Sequence, residues 1–138
     1  MISLPIVVFV VGFVFLLIAG LIHVLIFRFE SLAWSKPATW KRFGVASQSD
    51  ADVVRPMAFN QGFYNLFLAI AVFVGTGIVL AGHRDVGVAV ALVGSLSMVA
   101  AASVLILSSP KLARAAVLQG AAPLLGSVLV IVGCALMY

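Results

Sequence analysis

Four apolar blocks, each about as long as a membrane-crossing helix, leave this 138-residue chain few ways to fold. They cover residues 5–27, 57–81, 86–107 and 115–137. A helix rises about 1.5 Å per residue, so about 20 residues cross a ~30 Å hydrocarbon core. The sequence is 64% hydrophobic and 9% charged, whereas a soluble domain is nearer half and a quarter. The expected fold class is therefore all-α: a polytopic membrane protein with four transmembrane helices in an up-down bundle and a long interfacial loop after the first. Residues 1–138 are expected to form one membrane domain, with no room for a second, soluble one.

The formal charge of +4 does not point to nucleic acid. The basic residues lie between apolar blocks, where they act as topology signals. Cys134, the single cysteine, excludes an intrachain disulfide and a cysteine-clustered metal site, and reads as a packing residue. No basic residue precedes the first span and no small-residue cleavage motif follows it, so it reads as an uncleaved helix.

The polar stretch 28–55 carries Trp34, Trp40 and Phe43 among its bases, a pattern expected of a loop lying along the membrane surface. Ser47 with Asp50, and Ser49 with Asp52, are helix-start signals, and a helix is expected to begin near Ser49. Pro56 then either kinks that helix or marks a break before the second span. Gly82-His83-Arg84-Asp85 reads as a tight, solvated turn. The third span is rich in small residues (Ala91, Gly94, Ser95, Ser97, Ala101, Ala102, Ser103), so it is expected at the centre of the bundle or on a face that meets a second copy.

Five Lys and Arg residues fall in the first loop (Arg28, Lys36, Lys41, Arg42, Arg55), two in the third (Lys111, Arg114) and one in the second (Arg84). That bias predicts a cell (inner) membrane protein with loops one and three cytoplasmic and both termini external. It also sets polar residues at one depth. His23, Asn60, Gln119 and Ser103 each lie five residues from a polar loop position, or roughly 7–8 Å of helix. Around them stand Glu30, Gln61, Tyr64 and Asn65. The expectation is a polar layer just inside the cytoplasmic interface, fed by all four helices. Its ligand-binding candidates are His23, Glu30, Asn60, Gln61, Tyr64, Asn65 and Gln119. His23 and Glu30 lie about 10 Å apart along the axis, so their partners are expected across the bundle. No cofactor is expected, and no metal, because Asp50 and Asp52 are better explained as first-turn acids.

His23-Val-Leu-Ile-Phe-Arg-Phe-Glu30, Trp34, Phe43-Gly44, Asn60-Gln-Gly-Phe-Tyr-Asn65 with Phe67-Leu-Ala69, and Gln119 with Pro123 occur in that order. This arrangement resembles the small bacterial four-helix membrane proteins grouped as domain of unknown function 1304. The resemblance covers nearly the whole chain and implies the fold and the membrane location, but no activity.

Three functions remain open at this level. The first is a binding or permeation site for a small polar or amphipathic molecule, near the cytoplasmic interface. The second is a membrane enzyme acting on a lipid-like substrate, with His23 or Glu30 moving a proton and the amides or Tyr64 polarising an oxygen. Neither a nucleophile elbow, nor a His-Glu-x-x-His pair, nor a phosphate-cradling glycine loop supports it. The third is a structural or accessory role, with the polar layer as interhelical glue worth about 0.6 kcal/mol per bond and up to roughly 1.7.

Overall fold

In hydrocarbon every peptide group must find its partner inside the chain, and the helix satisfies this locally. The computed structural model, which describes residues 3–137, meets that demand with four long helices, each long and apolar enough to cross a membrane. Helix α1 spans Leu4–Phe27, with Pro5 in its first turn, where a missing N–H costs nothing. A widened turn, Arg28–Leu32, continues it, and the Ala33 N–H donates five residues back to the Arg28 carbonyl at 2.9 Å.

The loop that follows is itself folded. A short helix α2, Pro37–Trp40, runs into a tight turn, Lys41–Phe43, which Gly44 ends at φ +79°. That left-handed conformation suits a residue without Cβ. Trp34 and Trp40 do not stand out toward the headgroups. Both are buried in a small cluster with Ala51 and Ala58, and the Trp34 indole N–H donates to the Ala51 carbonyl at 2.9 Å. The loop is thereby fastened to the helix after it.

That helix, α3, spans Gln48–Leu80. Ser47 caps it: its Oγ accepts from the Asp50 N–H at 3.1 Å and donates to the Asp50 carboxylate at 2.6 Å. A cap of this kind is worth about 1 kcal/mol. The helix passes through Pro56 without a break, so the expected interfacial segment and second span are one rod. At 33 residues it is ~50 Å long and overshoots a ~30 Å core. Asp50, Asp52 and Arg55 sit on the overshoot. Helix α4, Arg84–Ser108, follows a turn in which Gly82 has φ +91°. Helix α5, Ala113–Ala135, follows the turn Pro110–Leu112.

Successive neighbours run antiparallel. In α1 and α5, Gly12 meets Val130 and Phe9 meets Gly133; in α1 and α3, Gly20 meets Phe73 and Ser31 meets Gly62. In α3 and α4, Gly75 meets Ala91 and Leu68 meets Gly94. In α4 and α5, the Ser95 and Ser127 hydroxyls hydrogen-bond at 2.8 Å. The four helices form a closed ring in the order α1, α3, α4, α5.

Backbones of α3 and α4 approach most closely at the end away from the two polar loops. A Cβ on Gly75 would lie 2.5 Å from the Ala91 nitrogen, and one on Gly87 2.6 Å from the Gly75 carbonyl oxygen. Real Cβ atoms do not approach so closely, so these backbones touch because the methyl is missing. Phe13, Leu16, Val72, Met98 and Val130 fill the core between them. The small residues of α4 divide by face. Gly87, Ala91, Gly94, Ser95 and Ala102 are buried inside the ring, while Ser97 and Ser103 are exposed and bond their own helix at the Val93 and Val99 carbonyls. Large apolar side chains such as Leu21, Phe67 and Val93 cover the outside.

Candidate functional site

At the end that carries the polar loops, the ring opens. Toward that end, the last glycine contact between α3 and α4 pairs Leu68 with Gly94. Beyond it the two helices become opposite walls of a cavity of about 500 Å³, a size typical of small-molecule sites. All four long helices and the loop line it. Ile26 and Glu30 come from α1 and its widened turn; Gln61, Tyr64, Asn65 and Leu68 from α3; and Ala101, Val104, Leu105 and Ser108 from α4. Ala115 and Gln119 come from α5, Leu112 from the turn before it, and Arg42 and Phe43 form a roof from the first loop. The α1–α3 side is therefore polar and the α4 side mostly apolar.

The polar wall is built by one close helix contact. Gly62 lets α3 approach the widened turn until its missing Cβ position overlaps the Ser31 hydroxyl and lies 3.1 Å from Glu30 Cβ. The Ser31 Oγ donates to the Phe59 carbonyl at 2.7 Å. On the outer edge of this seam the Phe27 ring meets the Phe63 ring edge-on, at 5.1 Å between centroids. Held at this distance, the Asn65 amide donates one N–H to Glu30 Oε2 at 2.9 Å and another to its own helix at the Gln61 carbonyl, 3.0 Å. Both donors are committed, so the half-buried carboxylate has a fixed orientation.

The rest of the polar lining is uncommitted. Among the described residues, the side chains of Gln61, Tyr64, Ser108 and Gln119 make no hydrogen bond, and Glu30 Oε1 accepts none. Glu30 also has no Lys, Arg or His partner within ion-pair distance among the described residues. Arg42 lies over the Phe29 ring at 5.1 Å and donates from Nε to the Ala38 carbonyl at 3.2 Å.

Of the seven candidates read from sequence, this cavity brings together five: Glu30, Gln61, Tyr64, Asn65 and Gln119. It leaves out His23 and Asn60. His23 is 2% exposed and bonds its own helix, Nδ1 to the Ala19 carbonyl at 2.9 Å, rather than α3. The widened turn separates its face from that of Glu30, which shares the cavity with Ile26 instead. Asn60 is exposed on the outer side of α3, in a shallow groove with Phe59, Phe63, Tyr64 and Phe67. The depth-matched layer of His23, Asn60, Ser103 and Gln119 thus does not form; Gln119 alone of the four reaches the cavity. Arg42, Phe43 and Ser108 were not anticipated. The sequence shows Arg42 as one of several loop bases, and nothing in it marks that base as the one folded over the cavity.

The described residues contain no group of three His, Cys, Asp or Glu side chains that could hold a metal ion. No curated protein and no solved structure matches the chain. A family model does: it covers residues 17–131 and is described as a protein of unknown function, DUF1304. The match extends from the middle of α1 to the last turns of α5 and takes in every residue of the cavity, and the chain belongs to that family.

Proposed function

We propose that this multi-pass membrane protein binds a small amphipathic molecule in the cavity between Glu30, Asn65 and the apolar wall of α4. The observation that carries the reading is the set of uncommitted polar groups around an open volume. Helix glue pairs its polar groups with one another, as Ser95 and Ser127 do in the tight half. Around the cavity the opposite holds, with two glutamines, a tyrosine and one carboxylate oxygen left free. Of these, Glu30 and Gln119 are half-buried, where a polar group without a partner is costly, and a ligand that satisfies them offsets that cost.

Binding is favoured over permeation because the volume has a floor. The Leu16–Met98–Val130 core and the glycine contacts close it on the far side. Catalysis has less support: Glu30 is the single carboxylate in the lining, and His23, the second proton-moving candidate, is elsewhere. By the Lys and Arg bias, the cavity opens on the cytoplasmic side of the inner membrane, with both termini external.

The test is extraction of bound molecules from protein purified in mild detergent, read by mass spectrometry against Ala101→Phe, which fills the apolar wall. The wild type is expected to carry a molecule in excess over the general lipid background. Ala101→Phe should lose it and Glu30→Gln should carry less. Identical complements in wild type and Ala101→Phe would sink the reading.

A further inference from the structure

Glu30 and Arg42 line the same cavity with opposite charges and do not pair. Each is held by something else, Glu30 by the Asn65 amide and Arg42 by the Phe29 ring and the Ala38 carbonyl. A fixed carboxyl acceptor and a fixed guanidinium facing one volume are complementary to a ligand that carries an ammonium at one end and an anion at the other.

Resting on the binding reading above, we propose that the ligand is a zwitterionic aminophospholipid, one with a phosphoethanolamine headgroup. The ammonium end meets a ring of acceptors: Glu30 Oε1 and the side-chain oxygens of Gln61 and Gln119. A primary ammonium has three N–H donors for such a set, and a quaternary ammonium has none. The phosphate end meets the Arg42 guanidinium, whose terminal N–H groups make no hydrogen bond among the described residues and fork naturally onto phosphate oxygens. The acyl chains need an apolar exit. Tyr64 on α3 and Val104 on α4 line the cavity and are each 64% exposed, so the gap between these helices opens sideways at membrane depth. Leu68 and Leu105 lie along it. A headgroup inside and chains leaving between α3 and α4 fit both the volume and its two-faced lining.

The experiment is lipid titration of the purified, delipidated protein by native mass spectrometry. Phosphatidylethanolamine, phosphatidylcholine and phosphatidylglycerol with identical chains are compared, with soluble phosphoethanolamine as a separate arm. Charge-assisted hydrogen bonds are worth enough to predict about ten-fold tighter retention of the ethanolamine lipid. Glu30→Gln and Arg42→Gln should each reduce it to the level of the other two lipids. Arg42 is on the exposed loop, so its variant stands independently of any folding defect in Glu30→Gln. Equal retention of all three lipids that Ala101→Phe still abolishes would overturn the headgroup assignment and leave the binding reading intact. Retention untouched by Ala101→Phe would overturn both. Soluble phosphoethanolamine binding as tightly as the lipid would overturn the lipid as the source.

Discussion

Gly62→Ala isolates the contact on which the polar wall depends, and its sign is informative. At a helix-interior site with space, replacing Gly by Ala stabilises by about 0.5–1 kcal/mol through helix propensity. Here the new methyl would overlap the Ser31 hydroxyl and sit 3.0 Å from the Ser31 nitrogen. Overpacking costs about 1–3 kcal/mol; outright overlap with a hydroxyl belongs in the upper half of that range, so a net loss of roughly 1–2.5 kcal/mol is expected. Ser31→Ala removes the overlapping oxygen and its bond to the Phe59 carbonyl, at about 0.6 kcal/mol. In the double variant the remaining neighbours need to yield by only a few tenths of an ångström. The two losses should therefore fail to add, with a coupling of at least about 0.5 kcal/mol in favour of the double variant. The assay is reversible unfolding in mixed detergent micelles for the wild type, both single variants and the pair. A Gly62→Ala protein as stable as the wild type, or a cycle that adds within error, would refute the close-contact argument.

The two asparagines of the motif should behave oppositely. Asn65→Leu strips Glu30 of its only hydrogen bond among the described residues and should cost about 1–3 kcal/mol. Asn60→Leu loses no bond from an exposed side chain and should stay within about 0.5 kcal/mol; thermal melts showing equal losses would contradict the geometry. The proposed orientation is read by labelling Ser109→Cys and His83→Cys, each in a Cys134→Ser background, with a membrane-impermeant maleimide on intact cells. His83→Cys is expected to react at once and Ser109→Cys only after permeabilisation, and the reverse pattern would invert the topology.

The four long helices were legible because hydropathy needs only one dimension. Each apolar block became a helix with ends within a few residues of those expected, apart from α3. There the sequence leaves Pro56 as either a kink or a boundary, and the helix runs on through it. Proline removes one helix hydrogen bond, and the rest of the helix absorbs that loss at an exposed position. The site was legible in part because depth along a helix can be counted and direction around it is harder to fix. Asn60 and Asn65 are five residues apart, which is about 140° around the axis. They could not both face one cavity, and Asn65 is the one that does. Likewise His23 and Glu30 fall on one face only if the helix stays regular, and the widened turn after Phe27 breaks that register. The fold of the first loop, which brings Arg42 over the cavity, rests on Trp34 reaching Ala51 across 17 positions. No local pattern encodes such a contact.

The glycine contacts of α3 and α4 also act at a distance. From Gly75 to Gln61 is 14 residues of rigid helix, an arm of about 21 Å, with its pivot where the two backbones touch. A small change of angle at the pivot becomes a displacement several times larger at the gap where Tyr64 faces Val104. The aperture is therefore dimensioned by residues outside the cavity, and a single methyl at Gly75 or Gly87 is a calliper adjustment made from the far end of the bundle.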